Sequence, residues 1–296
     1  MRSVRRASAL VLPLALASGV VAFQGVPGWY QRFQQQVPSD PSYPSYSDDY
    51  GPSPNNQKAE FYWSRLRYTS RTDLYGGGYG YGYGQFGYSW ERDYPKADRQ
   101  FLMALKRLTR IEARSTEQVV DLDHNDDVMA TRFPGQSIDN YPWVYAVQVA
   151  NWTFTDTQAK RLRDYLLKGG FLMVDDFHGA ADWERFMAGM RMVFPDRPIE
   201  DLNDHDEIFH VLYDIGQRFQ IPGEQYVVTG RTYEKDGYVP KWRAIRDDQG
   251  RIMVAICHNM HLGDAWEWAD MPQYPERFAS MAFRIGLDYI MYGMTH

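Results

Sequence analysis

Apolar positions along the chain change period twice between residues 143 and 174. From 143 to 149 (WVYAVQV) they run almost without interruption and are rich in β-branched and aromatic side chains. Such a run suits a strand buried on both faces of a parallel sheet. Over the next stretch the period lengthens: Ala159, Leu162 and Leu166 recur at helical spacing, with Lys160, Arg161, Arg163 and Asp164 on the opposite face. At 171–174 (FLMV) the run is continuous again. The joints agree with this division. Thr155 and Gln158 form a capping box, which satisfies free N–H groups at a helix start. Gly169 and Gly170 supply the left-handed residue that ends a helix. Strand, helix and strand at this spacing predict a right-handed crossover between parallel strands, with helices covering both faces of the sheet.

The same pattern extends in both directions. Residues 61–68 (FYWSRLRY) predict a strand with interleaved arginines, and Asp98 an N-cap before a helix that aligns Phe101, Leu105 and Leu108. A short strand is expected at 118–122. Asp182 is expected to cap a helix burying Trp183, Phe186, Met190 and Val193. Residues 225–229 read as a further strand. Residues 242–245 and 252–257 flank Asp247-Asp248-Gln249-Gly250, a hairpin turn. Residues 262–270 read as a tryptophan-bearing loop, and Pro275 opens a last helix with Phe278, Met281, Ile285, Tyr289 and Tyr292 buried.

Three segments do not share this periodicity. In residues 1–23, Arg2, Arg5 and Arg6 precede an apolar run with small residues, the pattern of a secretory signal peptide. Residues 24–57 are rich in Gln, Pro, Ser and Tyr and poor in aliphatics, so a disordered tether is expected. Residues 75–88 (YGGGYGYGYGQFGY) form a Gly/Tyr-rich insertion, expected to be a surface loop within an α/β domain spanning 58–296. A net charge of −6 over 296 residues offers no basic stripe for nucleic acid. The single cysteine, Cys257, excludes an internal disulfide and a lipid anchor at the signal. The expected address is periplasmic or cell-surface, with membrane contact only where the N-terminal segment stays uncleaved.

Candidate chemistry clusters at the expected strand ends. Asn151 follows the first strand of the central unit, and Asp175, Asp176 and His178 follow the second, where α/β folds place their ligands. The last three are the candidate catalytic residues: carboxylates and imidazole can bind a divalent metal or move protons. Side chains alternate along a strand, so one of the two aspartates faces a given pocket. Capping of the next helix is the plainer role. His258 and His261, with Asp264 and Asp176, could complete a His/carboxylate metal shell, or serve only as hydrogen-bonded loop residues. Asn259 and Trp266 join Asn151, His258 and Asp264 as candidate ligand contacts; Trp266 and Trp268 suit either a sugar platform or a local core. Asp204-His205-Asp206 is a weaker cluster, and Asp126 and Asp127 read as a solvated loop. No P-loop, dinucleotide fingerprint, serine elbow or HExxH occurs.

Four separated motifs occur in order: RLRY at 65–68, DYPKAD at 93–98, KGGFLMVDD at 168–176 and CHNMHLGDAWEW at 257–268. Together they resemble the bacterial family called domain of unknown function 4159. The resemblance implies a three-layer, flavodoxin-like, class I glutamine amidotransferase-like α/β fold with a mostly parallel sheet. Amidotransferases carry a nucleophilic cysteine in the turn after a strand like 171–174. Here that turn is Asp175-Asp176-Phe177-His178-Gly179, and Cys257 belongs to another strand, so glutaminase activity is not expected. The expectation is an exported domain that binds a small ligand or an envelope partner. A hydrolase, metal-assisted or not, and a structural envelope component are the alternatives.

Overall fold

The computed structural model describes residues 59–71, 89–122 and 136–296. The expected signal segment, the tether, the Gly/Tyr insertion, and Asp126 and Asp127 lie outside the described residues. Among the described residues, no helix is long and apolar enough to cross a membrane.

The protein is a mixed α/β structure with a mostly parallel sheet. Eight strands take the order β4-β3-β1-β5-β7-β10-β9-β8. They are β1 (Ser64–Arg67), β3 (Gln118–Asp121), β4 (Gln136–Ser137), β5 (Trp143–Val147), β7 (Phe171–Asp175), β8 (Glu200–Asp201), β9 (Lys241–Arg246) and β10 (Ile252–His258). The strands from β4 through β10 in this order pair in parallel; β9 and then β8 are added antiparallel. A separate two-stranded ribbon joins β2 (Thr69–Ser70) and β6 (Trp152–Thr153).

Alternation along the strands sorts the core into two halves. Leu66, Val144, Ala146, Leu172, Val174, Val254 and Ile256 share a cluster with residues of α2 (Asp156–Leu167) and α3 (Gly179–Val193). The other set is aromatic. Trp63 and Tyr145 pack against Trp266 of α5 (Leu262–Glu267), and Trp63 also meets Phe101 of α1 (Lys96–Leu108). Phe171 meets Tyr289 and Tyr292 of α6 (Glu276–Thr295).

The capping box of Thr155 and Gln158 forms as expected, and Gly169 ends α2 at φ 109°. The β9–β10 hairpin also forms. Four expectations are corrected. Residues 225–229 form a short helix, α4 (Gln225–Thr229), with no buried side chain. The strand signal of Tyr-Val-Val-Thr depends on packing against a pleated surface, and here there is none to pack on. Residues 262–270 contain α5 rather than an unstructured loop. Helix α1 begins two residues before Asp98, whose carboxylate pairs with buried Arg65 instead of capping. Asp182 lies within the first turn of α3 and caps it from inside, accepting the His178 N–H at 2.9 Å.

Candidate functional site

Strands β7 and β10 are parallel neighbours in level register, Ile256 opposite Val174. Each ends in a turn of the same form. After Asp175 comes Asp176 at φ 53°, then buried Phe177, then His178 at the N-cap of α3. After His258 comes Asn259 at φ 65°, then buried Met260, then His261 at the N-cap of α5. The left-handed conformation costs a non-glycine residue about 1–2 kcal/mol, so each turn is held by its surroundings. Asn259 ties the two together: its N–H donates to Phe177 O at 3.0 Å, and its Oδ1 accepts the Gly179 N–H at 2.8 Å.

His261 is the centre of the cluster and is almost wholly buried, at 1% exposure. Its Nδ1–H donates to Asp264 Oδ2 at 3.1 Å and its Nε2–H to Asp93 Oδ2 at 2.9 Å. Asp176 Oδ2 approaches the same Nε2 at 3.4 Å. Burial opposes charge on this ring, but the carboxylates of Asp176, Asp264 and Asp93 outweigh it and hold His261 well above the ordinary histidine value, as an imidazolium. Burial also pushes Asp176 up, yet the His261 charge and the His178 hydrogen bond keep it well below the usual carboxylate range. Burial raises Asp264 to about 7 against the pull of His261.

Asp93 reaches this centre because Arg65 of β1 pins the preceding turn. The guanidinium, fully buried, forks onto Asp98 at 3.0 and 2.6 Å and donates to the carbonyls of Trp90 and Arg92 at 3.1 and 2.9 Å. Arg92 adds a second cation, 3.0 Å from Asp93 and 3.7 Å from Asp264.

The two adjacent aspartates have different partners, Asp175 ending β7 and Asp176 standing past it in the left-handed conformation. Asp175 Oδ2 accepts from Tyr145 OH at 3.1 Å and from the Gly263 N–H at 3.0 Å. Burial pushes the Asp175 carboxyl up to about 7. Asp176 Oδ1 accepts from His178 Nε2 at 3.1 Å. That pair forms one wall of a cleft of about 220 Å³, with Glu234 and Lys235 across it and Gln148, Ala150, Asn151, Asp182 and Arg185 completing the lining. Asp182 pairs with both Arg185 and Lys235. One carboxylate offsets only one of those two cations, so the lining sets Asp176, Asp182 and Glu234 against Arg185 and Lys235.

Of the residues expected from sequence, the structure brings Asp176, His178, His261 and Asp264 together and places Asn151 on the cleft wall. Asn259 clamps the neighbouring turn. His258 does not join the His261 cluster: its ring stacks on Phe177 and lies tilted against Trp183, and its Nε2–H donates to Gly179 O at 3.2 Å. Trp266 is fully buried among Trp63, Phe101 and Tyr145, and so offers no face to a sugar. Trp268 carries Lys96 over its ring. Asp204 and Asp206 pair with Arg218 and Arg246 and stand apart from the centre. Cys257 is buried on β10, and burial raises its thiol well above the ordinary value, so it is no nucleophile. Sequence reasoning missed Asp93, Glu234 and Gln148. Asp93 stood in the DYPKAD motif, but nothing local tied it to a histidine 168 residues away.

These elements define a mixed α/β protein whose mostly parallel sheet carries a buried histidine–carboxylate centre at its carboxyl edge, beside a small polar cleft. The chain belongs to the family described as domain of unknown function DUF4159, which matches residues 79–294. A comparison with curated proteins finds no match.

Proposed function

We propose that this chain is an exported binding domain that takes a small polar ligand, of amino-acid or monosaccharide size, against the Asp176–His178 pair. One observation carries the reading. All five non-glycine residues with positive φ among the described residues, Asp93, Gln148, Asp176, Lys235 and Asn259, gather at this end of the sheet. Three of them line the cleft itself. Strain of this kind persists where the surroundings over-determine it, and it concentrates at functional sites. The volume, about 220 Å³, equals roughly seven water molecules at liquid density.

The strand order supports the finer fold reading, a three-layer, flavodoxin-like domain similar to class I glutamine amidotransferases. Taken without edge strand β4, β3-β1-β5-β7-β10 follows the order 2-1-3-4-5, whose ligands sit outside the carboxyl ends near the switch point. The Arg2, Arg5, Arg6 and apolar pattern of residues 1–23 supports export; cell fractionation of the full chain tests it.

A hydrolase is the second reading, favoured by the ionised, strained Asp176 hydrogen-bonded to His178. It would not be acyl transfer through the start of α3. The N–H groups of His178, Gly179 and Ala180 already donate to Asp182, Asn259 and Asp236, which leaves none of them for an oxyanion.

Thermal-shift screening of the full chain against a panel of amino acids and monosaccharides tests the binding reading. At least one compound should raise Tm, and Glu234→Gln should remove the shift. A panel that leaves wild-type Tm unchanged, or a shift that Glu234→Gln leaves intact, overturns it.

A further inference from the structure

The geometry points to a divalent transition-metal site made by Asp176, His178, His261 and Glu234, a proposal that rests on the same cleft as the binding reading and supplies its inner wall with an ion. One donor atom from each of the four lies within 4.8 Å of the others. An ion held tetrahedrally at about 2.0–2.2 Å keeps its donors about 3.3–3.6 Å apart. Asp176 Oδ2 is 3.4 Å from His261 Nε2, and His178 Nε2 is 3.7 Å from Glu234 Oε1.

Two further observations are independent of that clustering. Asp176 is only 7% exposed, yet its Oδ2, the oxygen that faces His261, has no hydrogen-bond partner. The His261 charge stands 3.4 Å away, but no donor reaches this buried oxygen in hydrogen-bond geometry, and a cation bound there supplies the direct partner. In addition, His261 is braced on its far side, with Nδ1 on Asp264 at 3.1 Å. A carboxylate behind the ring is the usual device for orienting a metal-bound histidine.

Imidazole and carboxylate donors without thiolate suit Zn²⁺ or Mn²⁺ better than Ca²⁺, which takes oxygen ligands. A ligating ring nitrogen carries no proton, so the Nε2 proton that His261 shares with Asp93 leaves when the ion enters, and neutral His178 gives up its Nε2–H bond to Asp176 and carries its proton on Nδ1. Asp176, His178 and Glu234 all line the cleft, so water or ligand reaches the ion from that side as a fifth donor, the four-coordinate shell expanding to five. Glu234 comes from the segment across the cleft and is the one ligand that is not deeply buried, with its side chain 32% exposed. Ion binding therefore fastens that segment to the end of β7.

The full chain, stripped with chelator and dialysed, is titrated with Zn²⁺ and separately with Mn²⁺ by calorimetry. One ion per chain is expected, with Glu234→Gln weakening binding by at least about tenfold and Asp264→Asn by about 10–100-fold. Because Asp176 and His261 also hold the fold, wild-type protein loaded with Co²⁺ gives a readout that needs no variant: visible bands of a low-symmetry nitrogen/oxygen site are expected. No ion bound by the stripped wild type, a Co²⁺ spectrum like that of the hexa-aqua ion, or unchanged affinity in Glu234→Gln overturns the site. The two readings fail separately. Stripped protein that binds no metal but still responds to an amino acid or sugar loses only the metal proposal. Protein that binds one ion but responds to no compound in either form loses only the binding reading.

Discussion

The turns that end β7 and β10 share a backbone course, left-handed residue, buried apolar residue, histidine at a helix N-cap, and differ in what their side chains do. In the β7 turn the left-handed residue is a charged acid, Asp176, and the histidine lines the cleft. In the β10 turn it is an uncharged amide, Asn259, spent on backbone groups, and its histidine is enclosed by three carboxylates. In the β10 turn Asn259 is scaffold, holding the β7 turn, while His261 reaches the site from behind it. Strand register brings them side by side, and depth assigns the roles. An amide at Asn259 can both accept from Gly179 and donate to Val239 O, which a carboxylate cannot do.

Exchange of the two histidines separates these duties most strongly. His261→Ala removes the cation that compensates Asp93, Asp264 and Asp176, and leaving buried charge unpaired costs about 3–5 kcal/mol. His178→Ala loses one side-chain hydrogen bond at a cleft wall, about 1 kcal/mol. Urea denaturation of both variants measures the contrast. Equal costs would mean that His261 is not the structural centre of the site.

Asn259→Ala comes next. It places alanine at φ 65° and removes the bonds to Gly179 and Val239, a combined loss of about 2–3 kcal/mol. The same exchange at Asp176 should change ligand and metal binding as well as stability. A ligand or metal defect in Asn259→Ala protein that remains fully folded would move Asn259 from the scaffold into the site.

Much of the frame was legible because its signals are local. Thr155 and Gln158 cap α2 through a contact three residues long, Gly169 stops it, and the apolar runs of β5, β7 and β10 need only burial to be recognised. The four central groups Asp176, His178, His261 and Asp264 were also nameable, since strand ends are where polar residues collect. What could not be read was which of them meet. His258 and His261 look alike in sequence, but β10 sends one ring onto Phe177 and Trp183 and the other among carboxylates. Asp93 arrives through the fork of Arg65 on Asp98, and Glu234 through a segment with no periodic pattern. Trp266 looked like a platform because nothing local shows that Trp63 and Phe101 enclose it.

Helix position N2 sharpens the comparison between the turns. Both helices start directly after their histidine, so Ala180 in α3 and Gly263 in α5 are equivalent. Ala180 is exposed, whereas a Cβ at Gly263 would overlap Asp93 Oδ2 and stand 2.9 Å from Tyr145 OH. Gly263→Ala should cost about 2 kcal/mol by overpacking, while Ala180→Gly should cost about 1 kcal/mol or less. Thermal melts of the pair check this. A harmless Gly263→Ala would show that Asp93 can step away from His261 without loss.

The smallest effect concerns His258, the histidine that ends β10 outside the cluster. Its Nε2–H faces Gly179 O, and its Nδ1 faces the Arg243 guanidinium at 3.4 Å, an arrangement that suits the neutral ring. Burial, with Arg243 adding to it, lowers its value to about 4. The unfolded chain, with an ordinary value of about 6.5, then takes up the proton first. The stability tied to neutral His258 is therefore complete above about pH 6.5 and falls as pH drops toward 4, by on the order of 1 kcal/mol at pH 5.5. Urea midpoints at pH 7.5, 6.5 and 5.5 for wild type and His258→Asn isolate this contribution, because the other acid-sensitive groups are common to both. The wild type should lose more between pH 6.5 and 5.5 than the variant does. Parallel lines would mean that His258 is protonated as readily in the folded protein as in the unfolded chain, and that the ring tilted against Trp183 accepts a charge the Arg243 contact should refuse.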